Sequence, residues 1–237
     1  MSGWNTNKRF WENASYQATE GGLAITLDGR TLKTPAKTPV VVPTQALAEA
    51  IAQEWQAQGE QVDPMTMPVT RTANSALDKV ALQKAEVADM LADYGGTDLL
   101  SYRATEPVEL IERQAKTWDP ILEWAATELG ARLTATQGVM FHAQDEAALQ
   151  ALKTRVHALS NFELAAFHDL VSLSGSLVLG FAAILEYSPI ETLWEYSRVD
   201  ELWQEELWGF DEEAHALAET KRAAFIHAAR FYKLCNK

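Results

Sequence analysis

The sequence predicts an α+β protein, with a small β-rich N-terminal domain followed by a larger all-helical C-terminal domain. Three observations predict it. Short apolar alternations and a tight-turn signal fill the stretch up to residue 42. From Thr44 onward the apolar residues recur at helical spacing instead. Hydrophobic residues at 47% and charged residues at 22% are the proportions of a folded chain with a core, so neither part is expected to be disordered. The expected division is residues 1–65, β-rich with one helix, and residues 66–237, helical, with the boundary falling within 60–100.

Residues 13–19 read as the first strand. Gly21-Gly22 breaks the chain, and Leu23, Ile25 and Leu27 then alternate with Ala24 and Thr26. Asp28-Gly29 is a two-residue hairpin signal, because both turn positions need positive φ. Residues 30–33 form the return strand, and Val40-Val41-Val42 a short strand ended by Pro43. Thr44 is placed to cap a helix carrying Leu47, Ile51 and Trp55 on one face, with Gly59 as its stop. Pro64 and Pro68 mark a connection. Helices are expected over 70–80, 82–94, 107–129 (kinked or divided at Pro120), 145–159, 162–186, 189–208 and 211–233. Residues 131–144 have no clear period.

Residues 170–185 carry no charge. A membrane span needs ~20 apolar residues. This run is shorter and is interrupted by Ser172, Ser174, Gly175, Ser176 and Gly180, so it reads as a central buried helix without membrane insertion. The net charge of −13 argues against nucleic acid and against anionic membrane surfaces, both of which select for excess Lys and Arg. Cys235 is the single cysteine, which excludes an internal disulfide and a thiolate cluster and fits a reducing compartment. The start, Met1-Ser2-Gly3-Trp4, lacks the basic and apolar regions of a signal peptide.

The motifs for chemistry are incomplete. Glu212 and His215 form one Glu-x-x-His pair, but a carboxylate-bridged di-iron site needs a second pair and two further Glu. Asp211 to His215 resembles a helicase box with an extra residue and no Walker A partner. His168-Asp169 lies near Ser172, Ser174 and Ser176, without a Gly-x-Ser-x-Gly elbow. Gly21-Gly22 lies between strands and is no phosphate loop. No catalytic residue, metal, cofactor or obligate small-molecule ligand is therefore expected.

A surface feature remains. Ten acids stand between Glu186 and Glu213, and Arg198 is the only Lys or Arg among them. Trp194, Trp203 and Trp208 are interleaved with Leu193, Leu202 and Leu207. A solvated face opposite a core stripe is the ordinary meaning of such a run. Like charges at i, i+4, such as Glu191/Glu195 and Glu201/Glu205, nevertheless cost a helix stability, which points to a partner that supplies the cations.

The chain also resembles a known family. Arg9-Phe10-Trp11, the stretch from Leu27 to Pro35, Val42-Pro43-Thr44, Ala48, Glu54-Trp55 and Met67-Pro68 carry the first half of the likeness. Asn74-Ser75-Ala76-Leu77-Asp78, Trp118-Asp119-Pro120-Ile121, Glu123-Trp124-Ala125, Ser197-Arg198, Asp200-Glu201 and Trp208-Gly209 carry the rest. In this order they resemble the assembly chaperones of the F-type ATP synthase catalytic sector that attend the alpha subunit. The resemblance implies a non-enzymatic chaperone that binds unassembled alpha subunit and prevents its aggregation until it pairs with beta. It implies a β domain followed by a helical domain, and a bacterial cytoplasmic setting, with eukaryotic relatives in the mitochondrial matrix. Glu201 matches an acidic position that the family marks as functional, and Trp55 matches a tryptophan kept for structure. Glu201, Asp200, Glu205, Trp203 and Arg198 are the expected partner-binding residues. The alternatives are an enzyme with an unrecognised small-molecule site or a constitutive structural subunit.

Overall fold

The computed structural model describes residues 8–237. Met1 to Trp4, on which the targeting reading rests, lie outside these residues. The chain forms two compact units. The first comprises residues 8–84 together with Asn161–Ala166 and Arg230–Lys237, and the second comprises Ala85–Ser160 and Phe167–Ala229.

In the first unit, strand β1 (Ala14–Thr19) pairs antiparallel with β2 (Gly22–Leu27), Ala14 opposite Leu27 and Thr19 opposite Gly22. Asp28 and Gly29, at φ 46° and 77°, turn the chain into β3 (Arg30–Thr31), as the Asp-Gly pair predicts. The Asp28 carboxylate also accepts from the backbone N–H groups of Glu12 and Asn13. Strand β4 (Val41–Val42) pairs with the other end of β2. Gly22 is required there. Its φ is 134°, and a Cβ would stand 2.5 Å from the Val42 carbonyl oxygen. The expected one-sided alternation of β2 gives way to burial of Ala24, Ile25, Thr26 and Leu27 alike. Thr26 satisfies its hydroxyl by pairing with that of Ser15 at 2.9 Å.

Helix α1 (Gln45–Gln56) starts where Thr44 accepts from the Leu47 N–H, and it buries Leu47, Ala48 and Ile51. It ends before Gly59, the expected stop, with Ala57 still right-handed. The Gln58 side chain closes this end by donating to the Glu54 carbonyl. Glu54 itself serves the next helix, α2 (Pro68–Asp78): its carboxylate accepts from the N–H groups of Val69 and Thr70, each at 2.7 Å. A carboxylate at a helix N-terminus fills orphan donors and meets the positive end of the dipole. At the far end of α2, Asp78 accepts from the Thr34 hydroxyl at 2.6 Å and the Ala36 N–H. Late residues complete this unit. Asn161 donates to the Ala76 carbonyl, the Thr44 hydroxyl donates to the Leu234 carbonyl, and Phe162, Leu164 and Phe231 are buried.

The second unit is mostly helical. Its helices are α3 (Lys84–Ala92), α4 (Val108–Trp124), α5 (Glu146–Ala158), α7 (Leu177–Ile184), α8 (Ile190–Tyr196) and α9 (Val199–Trp208). It also holds most of α6 (Asn161–Ser174) and of α10 (Glu212–Leu234). Helix α4 runs undivided through Pro120, and its irregularity is a π-helical turn over Ala125–Leu129. The unclassified stretch 131–144 is irregular apart from one short strand, pinned where Gln144 exchanges two hydrogen bonds with the Thr134 backbone. Its β6 (Thr136–Gln137) pairs parallel with β5 (Tyr102–Arg103).

Two expected long helices are each broken in two. The apolar 162–186 run divides at Gly175, which adopts φ 70°, and Ser176 caps α7 by accepting from the Leu179 N–H. Asp98 explains the break. Fully buried, it accepts from the Ser176 hydroxyl at 2.7 Å and from the N–H groups of Val178 and Leu100. Burial pushes its carboxyl above the usual range, against the pull of those donors. The 189–208 run divides at Ser197-Arg198, where the Ser197 hydroxyl returns to the Trp194 carbonyl and the Trp118 indole donates to the Tyr196 carbonyl at 2.8 Å. Glu201 therefore belongs to a helix that begins at Val199 rather than near Pro189. Among the described residues, no helix is long and apolar enough to cross a membrane.

Candidate functional site: an acidic groove with an apolar lining

Within the second unit, the turn Gly209-Phe210-Asp211 joins α9 to α10. Gly209, at φ 95°, ends α9, and Asp211 caps α10 by accepting from the Ala214 N–H at 3.0 Å. The two helices and the end of α8 enclose a groove of about 1220 Å³. Its lining contains eight acids, Glu195, Glu201, Glu205, Glu206, Asp211, Glu212, Glu213 and Glu219, against Arg198, Arg222 and His215. It is also apolar in part. Trp208 is 79% exposed, Phe210 61% and Leu202 36%, although large apolar side chains normally seek cover.

Most of these acids have no cation. Glu206 is held by Arg113 through two parallel bonds of 2.8 Å, which keep its carboxyl below the usual range. Glu219 meets Arg222 at 3.4 Å. Among the described residues, Glu195, Glu201, Glu205, Glu212 and Glu213 make no ion pair.

The five expected partner-binding residues divide. Glu201, Glu205 and Arg198 line the groove, the Arg198 guanidinium lying over the Trp194 ring at 5.7 Å. Asp200 and Trp203 do not line it. The Asp200 carboxylate accepts from the Gln114 amide at 2.6 Å, and the Trp203 ring lies under the Arg113 guanidinium at 4.8 Å. Both thus tie α9 to α4. Leu202 opens into the groove. In the first unit, the Trp55 ring packs at 5.1 Å from that of Trp11, on the helix that buries Leu47 and Ile51.

Phe210 and the α10 acid Glu219 were not singled out from the sequence. The signal was a turn glycine flanked by two aromatics, Trp208-Gly209-Phe210, between two helical patterns. The other chemical motifs resolve into local structure. His168 and Asp169 pair with each other at 3.0 Å, while the Ser174 and Ser176 hydroxyls go to the Leu170 carbonyl and to Asp98. Among the described residues, no group of three or more His, Cys, Asp or Glu is arranged to hold a metal ion.

Residues 8–126 match the family model described as ATP12 chaperone protein. The chain belongs to the ATP12 chaperone family. This is the family of ATP synthase assembly chaperones that the sequence resembles. The mitochondrial protein atp12 of Schizosaccharomyces pombe is 29% identical over 222 residues, covering 89% of this chain and 76% of that protein. The crystal structure of Atp12 from Paracoccus denitrificans has 51% identity and a TM-score of 0.94, covering 96% of this chain and 98% of its own. The Atu1473 protein of Agrobacterium tumefaciens has 38% identity and a TM-score of 0.90, covering 97% and 86%. The ATP12 family match ends at residue 126, ahead of the groove, whereas the structural likeness extends over nearly the whole chain.

Proposed function

We propose that this ATP12-family chain is a holding chaperone, without turnover, that binds the unassembled alpha subunit of the F-type ATP synthase through the groove between α9 and α10. The proposed setting is the bacterial cytoplasm. The observation that carries the reading is the set of acids without cations around exposed Trp208 and Phe210. A subunit destined for large obligate interfaces exposes apolar surface while alone, and covering that surface prevents aggregation. Exposed aromatics are suited to such contacts, and unpaired acids select a partner carrying Lys or Arg. Glu201, Glu205 and Arg198 are the proposed contact residues. Asp200 and Trp203 are proposed to act through the placement of α9, and Trp55 through the fold.

The test is aggregation of isolated alpha subunit, followed by light scattering, with the parent chain and with Glu201→Lys. The parent is expected to suppress scattering at near-equimolar ratio, and the variant to suppress it far less. A variant that protects as well as the parent would show that Glu201 is solvated surface.

A further inference from the structure

We infer that the segment taken by the groove is an amphipathic α-helix with one apolar face flanked by Lys or Arg. This rests on the holding-chaperone reading and specifies what is held. Three features of the groove lead to it.

The first is that no strand edge runs along the groove for an extended peptide to pair with. The walls are helices, whose internal backbone groups bond within their own ladders. At the turn, the Gly209 N–H goes to the Glu205 carbonyl at 3.0 Å and the His215 N–H to the Asp211 carbonyl at 2.9 Å. No strand contributes to the lining. A segment entering an apolar groove must then satisfy its own backbone, as a helix does.

The second is charge. Glu201 and Glu205 stand one turn apart on one wall, and Glu212 and Glu213 begin the other. Cations on a bound helix would relieve the repulsion between them. A second copy of this chain is a poor occupant, because a net charge of −13 sets copies against each other.

The third is size and apolar content. A helix is ~10 Å across with ~5.4 Å per turn, so a groove of about 1220 Å³ has room for roughly two to three turns. Trp208, Phe210 and Leu202 would meet its apolar face.

The experiment uses labelled synthetic peptides and fluorescence anisotropy with the whole chain. One peptide has Leu at i, i+3, i+4 and i+7 with flanking Lys, a second has Glu for every Lys, and a third carries the Lys pattern broken by central prolines. The Lys helix is expected to bind. Its binding should weaken at least about tenfold in Glu201→Lys/Glu205→Lys and in Trp208→Ala, and less in Glu201→Gln/Glu205→Gln. Raising salt from about 0.05 to about 0.5 M should weaken it too. Melting of each variant, expected close to the parent's, separates lost binding from lost fold. Excess Lys helix should displace held alpha subunit. Equal binding of the Glu twin overturns the charge argument, and equal binding of the proline-broken peptide overturns the helix. A parent chain that holds alpha but neither binds the Lys helix nor releases alpha to it overturns the inference and leaves the holding reading standing. A parent chain that fails to hold alpha overturns that reading and this inference with it.

Discussion

Asp200 and Glu201 are neighbours on α9, yet the first accepts a 2.6 Å hydrogen bond from Gln114 of α4 while the second opens into the groove. Their substitutions should therefore separate. Glu201→Lys should leave the melting midpoint nearly unchanged, within the roughly half kcal/mol usual for surface positions, and impair holding of the alpha subunit. Asp200→Ala should lower stability by about 1 kcal/mol through the lost hydrogen bond. Thermal melting and the aggregation assay, run on both variants, read the difference.

Trp55→Arg should damage the fold before it affects any partner. The ring is half-buried against Trp11, and a charge placed there without a partner costs several kcal/mol at order of magnitude. Circular dichroism during heating should show a lower midpoint. An unchanged midpoint with lost holding would instead make Trp55 a contact residue.

Asp98→Ala should be among the most destabilising single changes in the second unit. It strands the Ser176 hydroxyl and the N–H groups of Leu100 and Val178 in a buried site. Leaving such donors unsatisfied costs roughly 2–5 kcal/mol together. A urea titration with an unshifted midpoint would rule this out.

Gly180→Ala should also destabilise. A methyl group there would lie 2.7 Å from Val171 Cγ2 and 3.1 Å from Phe167 Cε2, in the contact between α6 and α7. Overpacking of this kind costs about 1–3 kcal/mol. The melting midpoint should fall with the secondary structure retained at low temperature.

The Cys235 thiol should be inert in the native chain. Burial first, and Glu163 second, push it up to about 12, so thiolate is scarce at neutral pH. Iodoacetamide labelling followed by mass spectrometry should proceed only after denaturation. Rapid labelling of native protein would contradict the burial of this end of α10.

Patterns carried by local chemistry were legible in the sequence. Asp28-Gly29 forms the turn it announces, Thr44 caps α1, and Glu201 and Glu205 line one groove. Breaks imposed from a distance were not legible. The 162–186 run reads as one helix across Ser174-Gly175-Ser176, and it is buried Asp98, far away in sequence, that captures Ser176 and the N-terminus of α7. The break at Ser197 likewise depends on an indole that arrives from Trp118. Asp200 and Glu201 looked equivalent because the sequence does not reveal that Gln114 waits on one side of α9. The capping role of Glu54 was not legible either, since the donors it serves, the first N–H groups of α2, are brought to it only by the turn between the helices.

The first unit draws on residues 230–237, and this has a consequence for a chain made one residue at a time. The N-terminal sheet emerges early, but Phe231 and the Leu234 carbonyl that receives the Thr44 hydroxyl do not exist until some 150 residues after position 84 have been added. At ~5–20 residues per second, the nascent first unit spends roughly 8 to 30 seconds without them. A premature stop that removes only those last eight residues would prolong that interval indefinitely. It would leave the first unit of an assembly chaperone permanently without the residues that complete it.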